Sequence, residues 1–191
     1  MTETPAFLFD TCSIINLSYS PVAALFKNRY TGRAGWTRAV QTELTRQRTR
    51  KPPHPQAGRA CNWATSWLGH PIEITDEADH VAIEGIRAAI AVGCDDDSLD
   101  HLGEAASIHL LTKAGTGRLI SDDHGARAIA RDRRYSVRAA STVGVLSELL
   151  ARGIASPEIV DDYLDTLRAH NRMRVKLTSA DLLVGDLGPW F

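Results

Sequence analysis

Short apolar runs alternate with stretches of helical spacing along most of the chain. Phe7, Leu8 and Phe9 mark residues 6–9 as a buried strand, and residues 13–17 begin a helix behind it. Pro21 opens a second helix with Val22, Leu25 and Phe26 on one face. Residues 35–36 form a short strand candidate, and residues 38–48 have helical spacing at Val40 and Leu44. The run Lys51-Pro52-Pro53-His54-Pro55-Gln56 breaks the pattern and reads as an exposed loop before a helix at 57–68. A strand candidate at 71–75 leads into a helix at 78–92, with Val81, Ile86 and Ile90 at helical intervals. An acidic loop at 94–98 precedes an amphipathic helix at 102–113, and Gly115-Thr116-Gly117 turns the chain into a strand at 118–121. A helix at 124–131, a strand candidate at 135–138 and a helix at 143–151 complete the series. Helices alternating with short apolar strands predict a parallel α/β sheet covered on both faces.

The rhythm changes after Gly153. Residues 157–169 are helical, and Ile159, Val160, Tyr163, Leu164 and Leu167 make that helix more apolar than a free one should expose. The tail beyond has no clear periodicity. The expected division is a domain over residues 1–152 and a helical extension over 153–191. The extension needs a surface: its own domain, a second copy of the chain, or an inhibitor's helix in a groove. Trp63 and Trp67, four apart, form a helical stripe read first as core packing, then as a partner groove, last as a base-stacking platform.

Composition narrows the function without naming it. A chain of 191 residues can bury one core and carry an appendage. Its net charge of −1 provides no global basic field, so nucleic acid could be held only by local patches. No apolar run is long enough to span a bilayer, and Met1-Thr2-Glu3-Thr4-Pro5 lacks a basic segment followed by an apolar stretch. The three cysteines, Cys12, Cys61 and Cys94, are widely spaced and odd in number, which fits a reducing cytoplasm.

Four acidic positions carry the chemistry. Asp10 ends the first apolar run, Glu43 lies early in a helix, Glu104 stands near a helix start, and Asp122-Asp123 end a later apolar run. Each has an ordinary explanation: Asp10 as a helix cap, Glu43 paired with Arg46 or Gln47, Glu104 favoured by a helix dipole. Together, on similar local frames, they predict one convergent cluster at the carboxyl ends of parallel strands. Packed carboxylates repel one another, and an oxygen-only cluster of this kind holds a hard divalent cation, Mg²⁺ or Mn²⁺. The seven histidines form no cluster, and His101 near Cys94 does not make a zinc pattern. Asp95-Asp96-Asp97 reads as a solvated loop, and Asp100 as a cap or dipole partner. His124, after the acidic pair, reads as an exposed helix-start residue. Of three basic runs, Arg127, Arg131, Arg133 and Arg134 receive the most weight, because their helix starts at the acidic edge. Arg46, Arg48, Arg50 and Lys51 form another, and Arg168, Arg172, Arg174 and Lys176 a third.

Asp10-Thr11-Cys12-Ser13-Ile14-Ile15-Asn16-Leu17, Glu43, Gly103-Glu104-Ala105 and Ser121-Asp122-Asp123 resemble, in order and spacing, the PIN-domain family of metal-dependent ribonucleases. The resemblance covers roughly residues 6–150. It implies a three-layer α/β/α sandwich with a mostly parallel sheet. It also implies a Mg²⁺- or Mn²⁺-dependent endoribonuclease that leaves a 5′-phosphate and a 3′-hydroxyl. Carried over by position, Asp10, Glu104 and Asp123 bind metal directly, and Glu43 binds it or orients water. Ser121 supports Asp123, with Asp122 as the rival ligand or an outer partner, and Thr11 braces Asp10. Arg127 and Arg131 would contact RNA phosphates. Cys12 departs from the Ser or Asn that many members have there, and residues 46–70 form a longer segment than a minimal member needs. Many members are toxins of bacterial toxin–antitoxin pairs, which implies a cognate antitoxin, a homodimer and a cytoplasmic location. The competing classes are a non-catalytic RNA- or protein-binding module of the same fold, a DNA-directed nuclease and a phosphatase-like hydrolase. The last lacks its motif, because Asp10-Thr11-Cys12 has no second aspartate.

Overall fold

The computed structural model describes residues 4–19, 21–91, 101–173 and 176–184. Four parallel strands form one sheet among them: β1 (Phe7–Phe9), β2 (Ala34–Gly35), β3 (Arg118–Ile120) and β4 (Arg138–Ala140), in the order β2-β1-β3-β4. The connection from β1 to β2 runs outward, and the one from β3 to β4 runs outward in the opposite direction. The sheet therefore reverses its winding between β1 and β3, and a crevice opens there at the strands' carboxyl ends. Phe9 pairs with Ile120, and Ile120 with Ala140, so these strands end level and release Asp10, Ser121 and Ser141 along one edge.

The two-residue period of the strands separates the core into two layers. Leu8 and Leu119 face one side, against Ile83, Ile86 and Ile90 of α5 (Glu77–Ile90) and Ile108 and Leu111 of α6 (Leu102–Ala114). Ala126 and Ala130 of α7 (His124–Arg131) close that side. Phe9, Ile120 and Ala140 face the other, against α1 (Thr11–Leu17), α2 (Ala23–Tyr30), α4 (Ala57–Leu68) and α8 (Thr142–Ala151). α3 (Arg38–Thr49) adds Val40 and Leu44 to this second layer. The fold is thus the expected α/β/α sandwich.

The chain after Gly153 joins the same core. Val160, Tyr163, Leu164 and Leu167 of α9 (Pro157–Ala169) are buried with Phe9 and Trp36, and Leu182 of α10 (Ser179–Val184) is buried beside them. Tyr163 donates its hydroxyl to the Asn16 carbonyl at 2.6 Å. The apolar face of α9 is covered by its own chain, and Ile159 stays partly exposed. Trp67 packs edge-on against Phe9, and Trp63 against Trp67, so this stripe is core packing.

Several elements differ from the sequence reading. Residues 71–75 form no strand: Ile72 makes one parallel bridge to Thr37 before Asp76 caps α5. On α5 Val81 points to solvent and Ile83 takes its place in the core. β4 starts at Arg138, because Ser136 is held in a turn with φ 53° and donates its amide to the Asp132 carbonyl. Within the proline loop Gln56 is buried, with its amide donating to the Ser18 hydroxyl at 3.1 Å. The acidic loop 94–98 and Asp100 lie outside the described residues.

Candidate metal centre

β1 ends on Asp10 because the carboxylate caps α1: Ser13 N donates to Asp10 Oδ1 at 2.6 Å. The other oxygen accepts from the Ser121 hydroxyl at 2.6 Å, across the switch between β1 and β3. Asp10 is fully buried, and its carboxyl is pushed up to about 7, first by burial and next by the charge of Asp122. Ser121 and Ser13 hydrogen bonds oppose that rise.

Glu104 lies in the first turn of α6 and is 6% exposed. Burial raises its carboxyl well above the ordinary range, and the charges of Glu43, Asp10 and Asp123 raise it further. Its Oε2 is buried without a hydrogen-bond partner among the described residues. An anionic oxygen without a partner is costly to bury, and a cation satisfies it.

Glu43 reaches the same place from α3. Its carboxylate accepts from the Thr11 hydroxyl through Oε2, and from Gly103 N at 2.9 Å through Oε1. Thr11 thus braces Glu43, where the sequence reading had it brace Asp10. Gly103 is required by the closeness of α3: a Cβ there would stand 2.7 Å from Val40 Cγ2 and 3.1 Å from Glu43 Oε2.

The two neighbouring aspartates have different settings. Asp122 accepts from Asn16 Nδ2 at 2.6 Å, from Thr142 N at 2.7 Å and from the Thr142 hydroxyl at 2.6 Å. Those three donors tie β1's helix to the start of α8. Asp123 caps α7 through Oδ1, with Ala126 N at 2.8 Å, and its amide donates to the Ser121 hydroxyl at 3.2 Å. Its Oδ2 faces His101 Nδ1 at 3.5 Å. His101, Glu104 and Asp123 each offer one ligand atom within 4.8 Å of the others. The geometry therefore makes Asp123 the ligand-ready member of the pair.

Glu43, Glu104, Asp122 and Asp123 line a cavity of about 760 Å³ whose other walls include Arg46 and Gln47 of α3, its C-cap Arg50, Asn171 and Arg172, while Asp10 is not among its walls. Glu43, Arg46 and Gln47 share one face of α3 through their spacing, and Arg50 follows at its C-cap. Arg172 Nε donates to Asn16 Oδ1 at 2.8 Å, which extends the Asp122–Asn16 link into the tail. The arginines by the acids thus come from the first and third basic runs. Arg127 is 3% exposed, and its guanidinium donates to the Ser121 carbonyl at 2.9 Å, a buried positive charge behind the acids. Arg131 is exposed, donates to the Ala139 carbonyl and lines a separate depression with Arg118 and Glu148. Neither Arg127 nor Arg131 lines the acidic cavity.

Sequence reasoning missed His101 and underweighted Arg46, Arg50 and Arg172. The spacing of Arg46 and Arg50 from Glu43 was a usable signal. Nothing local marked Arg172, whose position depends on the fold of the tail. Cys12 lines the cavity, and burial and the charges of Asp10 and Glu104 push its thiol up, so it stays protonated.

The chain is thus an α/β protein with a parallel sheet and carboxylates gathered at its winding switch. A family model described as DUF3368, a PIN domain, matches residues 6–184, and the chain belongs to the PIN-domain family. The match continues through α9 and α10. No curated protein and no solved structure matches the chain. PIN domains are generally nucleases, which typically use divalent metals.

Proposed function

We propose that this protein is a Mg²⁺- or Mn²⁺-dependent endoribonuclease. The observation that carries the reading is the buried, unpartnered Glu104 Oε2 facing a cluster with Asp10, Glu43 and Asp123. Asp10, Glu104 and Asp123 would hold the cation. When bound, the cation supplies an activated water and neutralises charge that develops on phosphate. Glu43, fixed by Thr11 and Gly103 N, positions that water or adds a ligand oxygen. Ser121 orients Asp10, and Asp122 holds Asn16 and Thr142 in place around the cluster. Arg46, Arg50 and Arg172 neutralise the RNA backbone where it enters the cavity, and set its position without reading its sequence.

The toxin role, a cognate antitoxin, a homodimer and a cytoplasmic location belong to the same proposal and rest on family resemblance. No helix among the described residues is long and apolar enough to cross a membrane. The expected result is cleavage of RNA with added Mg²⁺ or Mn²⁺, abolished by EDTA and by Asp123→Asn. Cleavage that persists in excess EDTA overturns the metal mechanism. Metal and RNA binding without cleavage replaces the enzyme with a binding module.

A further inference from the structure

The sequence points to an all-oxygen ligand set, but the folded cluster contains a nitrogen. His101 stands three residues before Glu104, at the cap of α6, and a ring nitrogen lies within 4.8 Å of ligand atoms on Glu104 and Asp123. The Nδ1 atom is 3.5 Å from Asp123 Oδ2. Glu104 Oε2, buried and without a partner, points independently to a missing positive ligand at the same place.

The backbone at His101 is left-handed, with φ 62° and ψ 9°, and its side chain caps no amide of α6. The imidazole is therefore not explained by helix capping. On the strength of the metal-centre reading above, we propose that His101, Glu104 and Asp123 form a mixed nitrogen–oxygen position that selects a first-row transition ion, Mn²⁺ among them, over Mg²⁺. Mg²⁺ prefers oxygen and keeps its waters, whereas imidazole donates well to the transition series. Asp10 and Glu43 supply the remaining negative charge of the cluster. Cys12 stays protonated and adds no thiolate, which leaves the set a nitrogen–oxygen one.

The test is Mn²⁺ and Mg²⁺ titration by calorimetry on the purified chain, with pulsed electron paramagnetic resonance of the Mn²⁺-loaded protein. His101→Gly is the informative variant, because glycine adopts the left-handed backbone without strain and no side-chain cap is lost. The wild-type chain is expected to bind Mn²⁺ more tightly than Mg²⁺ and to show nitrogen coupling to the manganese. His101→Gly is expected to lose that coupling and to weaken Mn²⁺ by about tenfold or more, with Mg²⁺ little changed. Circular dichroism checks that the variant is folded. Absent nitrogen coupling in the wild type, or equal Mn²⁺ affinity in the variant, overturns the proposal. RNA cleavage is assayed on the same samples. Loss of cleavage with the nitrogen signature intact overturns the ribonuclease reading alone, and cleavage without the signature overturns the nitrogen ligand alone.

Discussion

Asp122 and Asp123 show how neighbouring residues acquire different work from their partners. Asp122 accepts three hydrogen bonds. An amide in its place would turn an NH₂ group toward donors, so Asp122→Asn is expected to lower stability by about 1–3 kcal/mol in a urea titration. Asp123→Asn keeps a capping oxygen for α7 and removes a charge from the cluster. It is expected to hold its melting temperature and lose metal affinity, as a thermal melt paired with calorimetry will show. The reverse pattern would exchange their roles. Asp10 adds a pH dependence. Its carboxyl rises from 3.8 to about 7 in the folded chain, and Glu104 is raised too. The folded state therefore holds protons that the unfolded state releases, and stability falls as pH climbs through that window. Without metal, the melting temperature should drop as pH rises from about 4 to about 7, and Asp10→Asn should flatten the drop. The acids were legible in the sequence because each sits at the end of an apolar run or early in a helix. His101 was not, because its value depends on a left-handed turn that brings its ring beside Asp123.

At the scale of elements, the centre depends on how closely α3 and α6 approach. Gly103 permits that approach and gives Glu43 an amide to bind. Gly103→Ala places a methyl against Val40 and the Glu43 carboxylate. It is expected to cost about 1–3 kcal/mol in chemical denaturation and to weaken metal binding as Glu43 shifts. Unchanged affinity would mean that Glu43 is not part of the centre. Long elements with an apolar stripe were readable: the structure gives α4, α7 and α9 the spans that periodicity predicts. Short pieces were not. A three-residue strand carries too little period to fix its ends, so β4 moved from 135–138 to Arg138–Ala140. Val81 was misassigned: Ile83, Ile86 and Ile90 follow one another at helical spacing on one face, and Val81 falls on the opposite side of the helix.

At the scale of the molecule, the tail works as part of the sandwich. Val160, Tyr163, Leu164 and Leu167 are each 1% exposed or less. Burying such side chains is worth about 1.5–3 kcal/mol each, so together they match most of a typical domain's stability of about 5–15 kcal/mol. A chain cut before α9 is expected to lose its cooperative melt, by circular dichroism, and with it the centre. A truncated chain that melts sharply and binds metal would make the tail dispensable. The sequence told that this helix needed cover. It could not tell where the cover lay, since Asn16, whose carbonyl accepts the Tyr163 hydroxyl, is over a hundred residues away.

The order β2-β1-β3-β4 also has a consequence for synthesis. β1 leaves the ribosome early, but its inner neighbour is β3, translated more than a hundred residues later. Asp10 cannot meet Ser121 until that strand arrives, and Asn16 cannot receive the Tyr163 hydroxyl until α9 follows. Such long-range pairing is slow to form, since the intervening loop must close first. A growing chain therefore carries its acids dispersed, and whatever chemistry the centre performs waits until β3 and α9 have both been made. If the centre acts on RNA as proposed, the messenger being translated meets no assembled site while the residues before β3 are still being made.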